Sequence, residues 1–125
     1  MEQLLIESTK SSPEINLNPS GTLKFKGRSI HENAQEFFDS VISWIEVYIN
    51  EPADTTFVDI QLEYFNTSSS KCILDVFKKL EAIHKGDTEV IINWHYEEDD
   101  EDMLEAGEDY ESIIRVPFKM IEIVE

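Results

Sequence analysis

The chain has 125 residues, and its 27 acidic and ten basic side chains give a formal net charge of −17. Phosphate backbones are bound by clustered Lys and Arg, so this balance argues against a nucleic-acid partner. The length and a hydrophobic content of 41% predict one domain, residues 1–125, around one packed core.

The first part of the chain predicts an antiparallel β-meander. Residues 4–7 form a short apolar strand, and Ile15 and Leu17 mark a second one. A turn at 18–21 contains Pro and Gly and leads into residues 22–26, in which apolar and polar side chains alternate. Three short strands in succession therefore open the fold.

The remainder of the chain predicts helices and strands in alternation. The hydrophobic period and the chain-breaking residues place them at about 33–50 (helix), 56–65 (strand), a helix ending near 84, 89–96 (strand), a helix ending near 114, and 117–124 (strand). Strands separated by helices indicate parallel crossovers, and hence an α/β fold.

The composition of one strand indicates how many layers the fold has. Val58, Ile60, Leu62 and Tyr64 alternate with polar residues such as Asp59, the pattern of a half-buried strand. A sheet covered by helices on both faces would make its central strands apolar throughout. We therefore predict a two-layer sandwich, with three helices on one face of a small mixed sheet of about six strands.

Much of the negative charge comes from one segment. Residues 97–111 contain ten acidic side chains and no base, whereas the rest of the chain carries seventeen acids and ten bases. We interpret the segment as a solvated loop leading into an exposed helix, whose acidic start suits the helix dipole. A calcium site is disfavoured because the spacing lacks the Asp-x-Asp-x-Asp-Gly order. A basic partner is an open alternative.

The start of the second predicted helix carries an unusual concentration of polar side chains: Asn66, Thr67, Ser68, Ser69, Ser70 and Lys71. Unpaired backbone N–H groups and the helix dipole favour negative charge at this position, so a phosphate on one hydroxyl would be stabilised. The same residues also fit an ordinary N-cap at Asn66 or Thr67, which is the commoner role. Local chemistry leaves both interpretations open.

Signals for catalysis are weak. The four glycines are isolated, so there is no glycine-rich phosphate loop. Cys72 lies near a helix start, which lowers a thiol pKa, but it also borders the apolar stripe of the helix, where a buried structural thiol is commoner. His31, His84 and His95 match no zinc-ligand spacing. We therefore predict a protein that is not an enzyme and that binds no cofactor or metal.

Three features predict a cytoplasmic protein. No apolar run approaches the roughly 20 residues that span a bilayer, so we expect no direct membrane insertion. The N-terminus lacks the basic and apolar segments of a signal peptide. The single cysteine excludes an internal disulfide and is typical of a reducing compartment.

Several motifs together resemble those of the SiaC family of bacterial regulatory phosphoproteins. They are the segment Asn-Thr-Ser-Ser-Ser-Lys at 66–71, the residues Asp75, Val76 and Phe77, and the triplet Trp-His-Tyr at 94–96. The resemblance covers nearly the whole chain. It implies the architecture of STAS domains, the fold of anti-sigma-factor antagonists, with a phosphorylatable hydroxyl at a helix start.

The resemblance also implies a function. Thr67 corresponds to the family's phosphoacceptor, and the phosphosite and partner surface would include its neighbours, Asn66, Ser68, Ser69, Ser70 and Lys71. A GHKL-like Ser/Thr protein kinase would phosphorylate Thr67, and a PP2C-like phosphatase would reverse the reaction. The unphosphorylated form would bind and activate a diguanylate cyclase, a GGDEF protein, and so raise cyclic di-GMP and control biofilm formation.

Two alternatives stay open at this point. A STAS-like anti-sigma-factor antagonist, acting in a partner-switching pathway that controls transcription, would use the same site, so only the bound partner separates the two functions. Ser70 stands where relatives can have an apolar residue, so a serine among residues 68–70 is an open alternative to Thr67 as the phosphoacceptor.

The chemistry of a phosphate on Thr67 predicts how the switch would work. We expect an unmodified Thr67 to cap the helix and the phosphate to accept the N–H groups of Ser69 and Ser70 and the Lys71 ammonium. The bulky dianion would then block a partner surface without refolding the helix.

Overall fold

The computed structural model describes residues 1–123. They form the following elements: β1 (Leu4–Ile6), β2 (Glu14–Asn18), β3 (Thr22–Ser29), α1 (Ala34–Tyr48), β4 (Thr55–Phe65), α2 (Thr67–Glu81), β5 (Glu89–Glu97), α3 (Glu101–Ile113) and β6 (Phe118–Ile123). The predicted order is confirmed, and the predicted end of the last strand at Val124 lies outside the described residues. None of the helices within residues 1–123 is long and apolar enough to cross a bilayer.

The six strands form one mixed sheet in sequence order. β1, β2 and β3 pair antiparallel, whereas β3, β4, β5 and β6 pair parallel. Each parallel step crosses over through one helix. Because such crossovers are right-handed and all three advance in the same direction, the helices lie on one face of the sheet. The predicted fold class, a two-layer α/β sandwich, is confirmed.

The core lies between the sheet and the helices. The largest side chains with less than 2% exposure come from both layers: Trp94, Tyr48, Phe38, Phe77, Ile15, Leu17, Leu23, Ile45, Ile60, Leu80, Ile92 and Val41. The opposite face of the sheet is polar. There Asp59 Oδ1 accepts a hydrogen bond from Asn93 Nδ2 at 2.9 Å and lies 3.7 Å from His95 Nε2. One face of the sheet is therefore available to solvent or to a partner.

A β-bulge interrupts the pairing of β3 with β4. Leu62 pairs with Gly27, but the next residue of β3, Arg28, pairs with Tyr64. Glu63 is therefore an extra residue in β4. Gly27 has a φ of +121°, a conformation that a residue with a side chain rarely adopts. An extra residue shifts the two-residue period of a strand by one, so side chains beyond it exchange faces.

The bulge determines which aromatic side chain of β4 enters the core. The ring of Phe65 lies 6.1 Å from Trp94 and 6.4 Å from Tyr110, between centroids, whereas Tyr64 is 56% exposed. The alternation in the sequence predicted that Tyr64 belongs with the buried residues of β4. That prediction is wrong for Tyr64 because the period shifts at Glu63.

The acidic helix α3 is held against the sheet by Trp94. The indole Nε1 donates a hydrogen bond to the carbonyl of Met103 at 2.9 Å, within the core. Gly107 lies against the indole so closely that a Cβ there would be 2.5 Å from Trp94 Cδ1. Met103 and Tyr110 are buried, while the acidic side chains of α3 are exposed. The predicted exposed acidic helix is confirmed.

Candidate functional site

The hydroxyl-rich segment forms the first turn of α2, directly after β4. Asn66 is the N-cap: its Oδ1 accepts the N–H of Ser69 at 2.9 Å, and its carbonyl accepts the N–H of Ser70 at 2.9 Å. Thr67 is the first helical residue. The prediction that an unmodified Thr67 caps the helix is therefore wrong, since the acceptor that reaches the third helical N–H belongs to Asn66.

Asn66 also attaches this turn to the loop between β3 and α1. Its Nδ2 donates to the carbonyl of His31 at 2.8 Å, and its backbone N–H donates to the carbonyl of Ser29 at 3.0 Å. One side chain thus organises the helix start and fixes its position relative to β3.

The three serines of the segment each have a structural hydrogen bond. Ser69 is 0% exposed; its Oγ accepts from Ser29 Oγ at 2.7 Å and donates to the carbonyl of Ser29 at 2.9 Å. The Oγ of Ser68 accepts the N–H of Ala34 at 3.3 Å, which joins the starts of α1 and α2. The Oγ of Ser70 donates to the carbonyl of Thr67 at 2.9 Å.

Thr67 differs from its three neighbours. It is exposed, and its Oγ1 makes no hydrogen bond to any residue between 1 and 123. The N–H groups of Thr67 and Ser68 occupy the first two helical positions, where the helix itself provides no acceptor. Among the hydroxyl groups of this turn, that of Thr67 is therefore the one without a hydrogen bond to the described residues.

The donors available to an anion at this site are not those predicted. The N–H groups of Ser69 and Ser70, which we expected to hold a phosphate, are engaged by Asn66. The N–H groups of Thr67 and Ser68 remain. Lys71 is exposed and lies four residues after Thr67, on the same side of the helix.

His31 lies beside the site and was not predicted to be part of it. Its ring stacks on Phe37, with 4.4 Å between centroids, and its enclosed Nδ1 has no hydrogen-bond partner within the described part of the chain. Burial lowers the pKa of His31, which favours the neutral ring. The sequence did not indicate that His31 belongs to the site, because its proximity to Asn66 depends on the pairing of β3 with β4.

The acidic helix reaches the site through Tyr110. The Tyr110 hydroxyl donates to the carbonyl of Ser70 at 2.9 Å. Burial raises the pKa of Tyr110 well above its ordinary value, so the hydroxyl keeps its proton and remains a donor. The first turn of α2 is thus connected to both β3 and α3.

The other side chains considered for catalysis, Cys72, His84 and His95, lie in three different parts of the fold. Cys72 is buried, and burial together with Asp75 and Asp39 raises the pKa of its thiol. The predicted burial of Cys72 beside the apolar stripe of α2 is confirmed. His84 Nδ1 accepts the N–H of Val90 at 3.0 Å beyond the C-terminal end of α2, whereas His95 lies on the polar face of the sheet.

Comparison with known sequences identifies the family. The model of a family described as "SiaC family regulatory phosphoprotein" matches residues 6–123. The chain is also 34% identical over 119 residues to an uncharacterised protein of Pseudomonas aeruginosa strain UCBPP-PA14, and the match covers 94% of each chain.

Solved structures give the same result. The crystal structure of apo-SiaC from Pseudomonas aeruginosa matches with a TM-score of 0.88 and 34% identity over 97% of this chain and 99% of the other. A crystal structure of the diguanylate cyclase SiaD in complex with its activator SiaC, from the same organism, matches with a TM-score of 0.89 and 33% identity over 96% and 99%. The chain described above therefore belongs to the SiaC family of regulatory phosphoproteins.

Proposed function

We propose that this protein is a phosphorylation-switched activator of a diguanylate cyclase, in which residues 1–125 act as one domain. The unphosphorylated form binds and activates the cyclase, and a phosphate on Thr67 prevents binding. The complex of SiaD with its activator SiaC supports the choice of partner. The observation that carries the choice of residue is the exposed, unengaged hydroxyl of Thr67 in a turn where each serine hydroxyl is already hydrogen-bonded.

The hydrogen bonds of the serines disfavour them as alternative acceptors. A kinase must bring the γ-phosphoryl group of ATP in line with the attacking oxygen. Ser69 is fully buried, so it would become accessible only if the start of α2 opened. Ser68 and Ser70 would each have to give up a hydrogen bond that holds the turn. Thr67 requires neither change.

The phosphate acts locally in this proposal. It carries about −1.5 to −2 charges and sits where the N–H groups of Thr67 and Ser68 and the Lys71 ammonium can bind it. The cap bonds of Asn66 do not involve Thr67 Oγ1, so the backbone has no reason to rearrange. A partner surface over the helix start would have to desolvate the dianion, which costs enough free energy to prevent docking.

Two enzymes complete the switch. A GHKL-like Ser/Thr protein kinase transfers the phosphoryl group from ATP to Thr67 Oγ1, and a PP2C-like phosphatase hydrolyses the phosphate ester. The family description, a regulatory phosphoprotein, supports a need for both activities. The protein itself acts by binding and not by catalysis, through a surface that includes Asn66, Ser68, Ser70 and Lys71. Ser69, which we predicted to be part of this surface, is fully buried and supports it from within. Because the cyclase consumes GTP, we place this function in the cytoplasm, with cyclic di-GMP as the output and biofilm control as the result.

The test is an activity assay with the diguanylate cyclase of the same organism. Unphosphorylated wild type and Thr67→Ala are expected to raise the rate of cyclic di-GMP synthesis, whereas kinase-treated wild type is not. Thr67→Ala is expected to remain active after kinase treatment because it lacks the acceptor. Ser70→Ala is the matched control for the phosphorylation step, and it should still accept one phosphate, on Thr67.

Two results would contradict the proposal. The switch is wrong if the wild type activates the cyclase equally well with and without phosphate on Thr67. The choice of partner is wrong if the unphosphorylated protein ignores the cyclase and instead binds an anti-sigma-type kinase, as a STAS-like antagonist would.

A further inference from the structure

Two exposed apolar side chains lie near the ends of β3 and β4, at the edge of the sheet where α2 begins. Tyr64 is 56% exposed and precedes Thr67 by three residues, at the end of β4. Ile30 is 39% exposed and directly follows β3. The two strands pair up to Ser29 and Phe65, so both residues lie at the same edge of the sheet as the start of α2.

The exposure of Tyr64 results from a specific structural feature. The extra residue Glu63 turns the Tyr64 ring away from the core, and Phe65 occupies the core position instead. Bulges next to functional sites re-aim side chains in this way. The Tyr64 ring fills no position in the core, so it is available for contact with a partner. Tyrosine is among the residues most enriched at the energetic centres of protein interfaces.

The two segments that carry these residues are together neutral, whereas the protein as a whole is strongly acidic. We call residues 28–33 and 63–71 the docking patch. The patch carries two bases, Arg28 and Lys71, and two acids, Glu32 and Glu63, while the whole chain has a net charge of −17. Arg28 Nε lies 3.2 Å from Glu63 Oε2 in an exposed ion pair, and pairs of this kind are weak enough to exchange for another carboxylate.

We propose that Tyr64 and Ile30 are the apolar anchors by which the docking patch holds the diguanylate cyclase, through a cyclase segment that places an apolar side chain next to a carboxylate. This inference rests on the proposed function. Phosphate on Thr67 would attract a basic segment but repels an acidic one and cannot be buried against an apolar one. A second copy of the chain is a poorer occupant, because two molecules of charge −17 repel each other.

The experiment measures the affinity of the unphosphorylated protein for the cyclase, by calorimetry or biolayer interferometry, for wild type and four variants. Tyr64→Ser and Ile30→Ser are each expected to raise Kd at least about tenfold, because both lose a buried apolar contact. Tyr64→Phe is expected to stay within about threefold of wild type, since the ring and not the hydroxyl is the anchor. Val47→Ser is the matched control, because Val47 is 59% exposed on α1 and lies outside the patch; its Kd should not change.

The possible results separate this inference from the function on which it rests. If the wild type binds the cyclase and Tyr64→Ser binds equally well, the anchors are wrong while the function stands. If Tyr64→Ser binds the cyclase normally but is no longer phosphorylated, the patch belongs to the kinase. If the variants change the oligomeric state in solution and leave the Kd for the cyclase unchanged, the docking patch binds a second copy of the chain. If the wild type does not bind, the proposed function fails and this inference with it.

Discussion

The side chain of Asn66 caps α2 and also holds the loop that contains His31, whereas the side chain of Thr67 makes no hydrogen bond to any residue between 1 and 123. Asn66→Ala is therefore expected to lower the free energy of unfolding by about 0.5–2 kcal/mol, the range of a lost N-cap. Thr67→Ala should change it by less than about 0.5 kcal/mol, as is usual for an exposed position without partners. Urea denaturation of both variants checks this, and equal losses would show that Thr67 has a structural role.

His31 is expected to make stability depend on pH. Its pKa is lowered by burial from the ordinary value of 6.5, so the unfolded chain takes up the proton more readily than the folded one. The free energy of unfolding should therefore fall as the pH drops below about 6.5, and it should gain nothing from this residue above that value. The measurement compares wild type with His31→Gln at pH 7.5 and pH 5.5. An equal loss in both proteins would assign the pH dependence to other groups.

At the scale of elements, α3 depends on the contact between Gly107 and Trp94. A Cβ at Gly107 would lie 2.5 Å from Cδ1 and 2.6 Å from Nε1 of the indole. Gly107→Ala must displace the ring and with it the hydrogen bond to Met103, so we expect a loss of about 1–3 kcal/mol, as for other overpacked cores. Glu108→Ala is the control, because the next residue along the helix is exposed. Thermal denaturation that leaves Gly107→Ala as stable as Glu108→Ala would contradict this account.

The elements could be predicted because each depends on a local pattern. The hydrophobic period and the breaking residues placed the helices and strands close to their positions, although α2 ends at Glu81 and not near His84. The bulge in β4 could not be predicted. Glu63 is an extra residue only in relation to Gly27, which is distant in the sequence, so the exposure of Tyr64 depends on a pairing that the local alternation does not contain.

The candidate site also combines local features, which the sequence predicts, with contacts between distant residues, which it does not. The cap at Asn66 is a local feature, and the sequence limited it to two neighbouring residues. The roles of Ser68 and Ser69 are set by Ala34 and Ser29, which lie 34 and 40 residues away. From the sequence alone, the four hydroxyl groups of residues 67–70 are equivalent candidates for phosphorylation. The contacts in the folded structure distinguish them, because they engage the three serines and leave Thr67 without a hydrogen bond to the described residues.

At the scale of the whole molecule, the charge limits how a phosphate can act. A dianion added to a chain of net charge −17 changes the total by only about a tenth, so a general increase in repulsion is too small to switch binding. The effect must be local, and the docking patch is neutral where the rest of the chain is acidic. One phosphate there gives residues 28–33 and 63–71 a net negative charge where they had none.

The concentration of acid on α3 is expected to make stability depend on ionic strength. Residues 97–111 place ten negative side chains together without a base, and those of α3 point into solvent. Their mutual repulsion is relieved when salt shortens the screening length from about 10 Å at 0.1 M to about 3 Å at 1 M. The melting temperature of wild type should therefore rise with sodium chloride across that range.

A variant with fewer charges on α3 tests where that repulsion arises. Replacing Glu105 and Glu108 by Gln and Asp109 by Asn removes three exposed charges and leaves the buried side chains of the helix in place. The variant should melt higher than wild type at low salt and gain less from added salt, because less repulsion remains to be screened. If salt raises the melting temperature of both proteins equally, the salt effect does not arise on α3. The acidic side chains of α3 would then not destabilise the folded state, and a basic partner would not stabilise it by neutralising them.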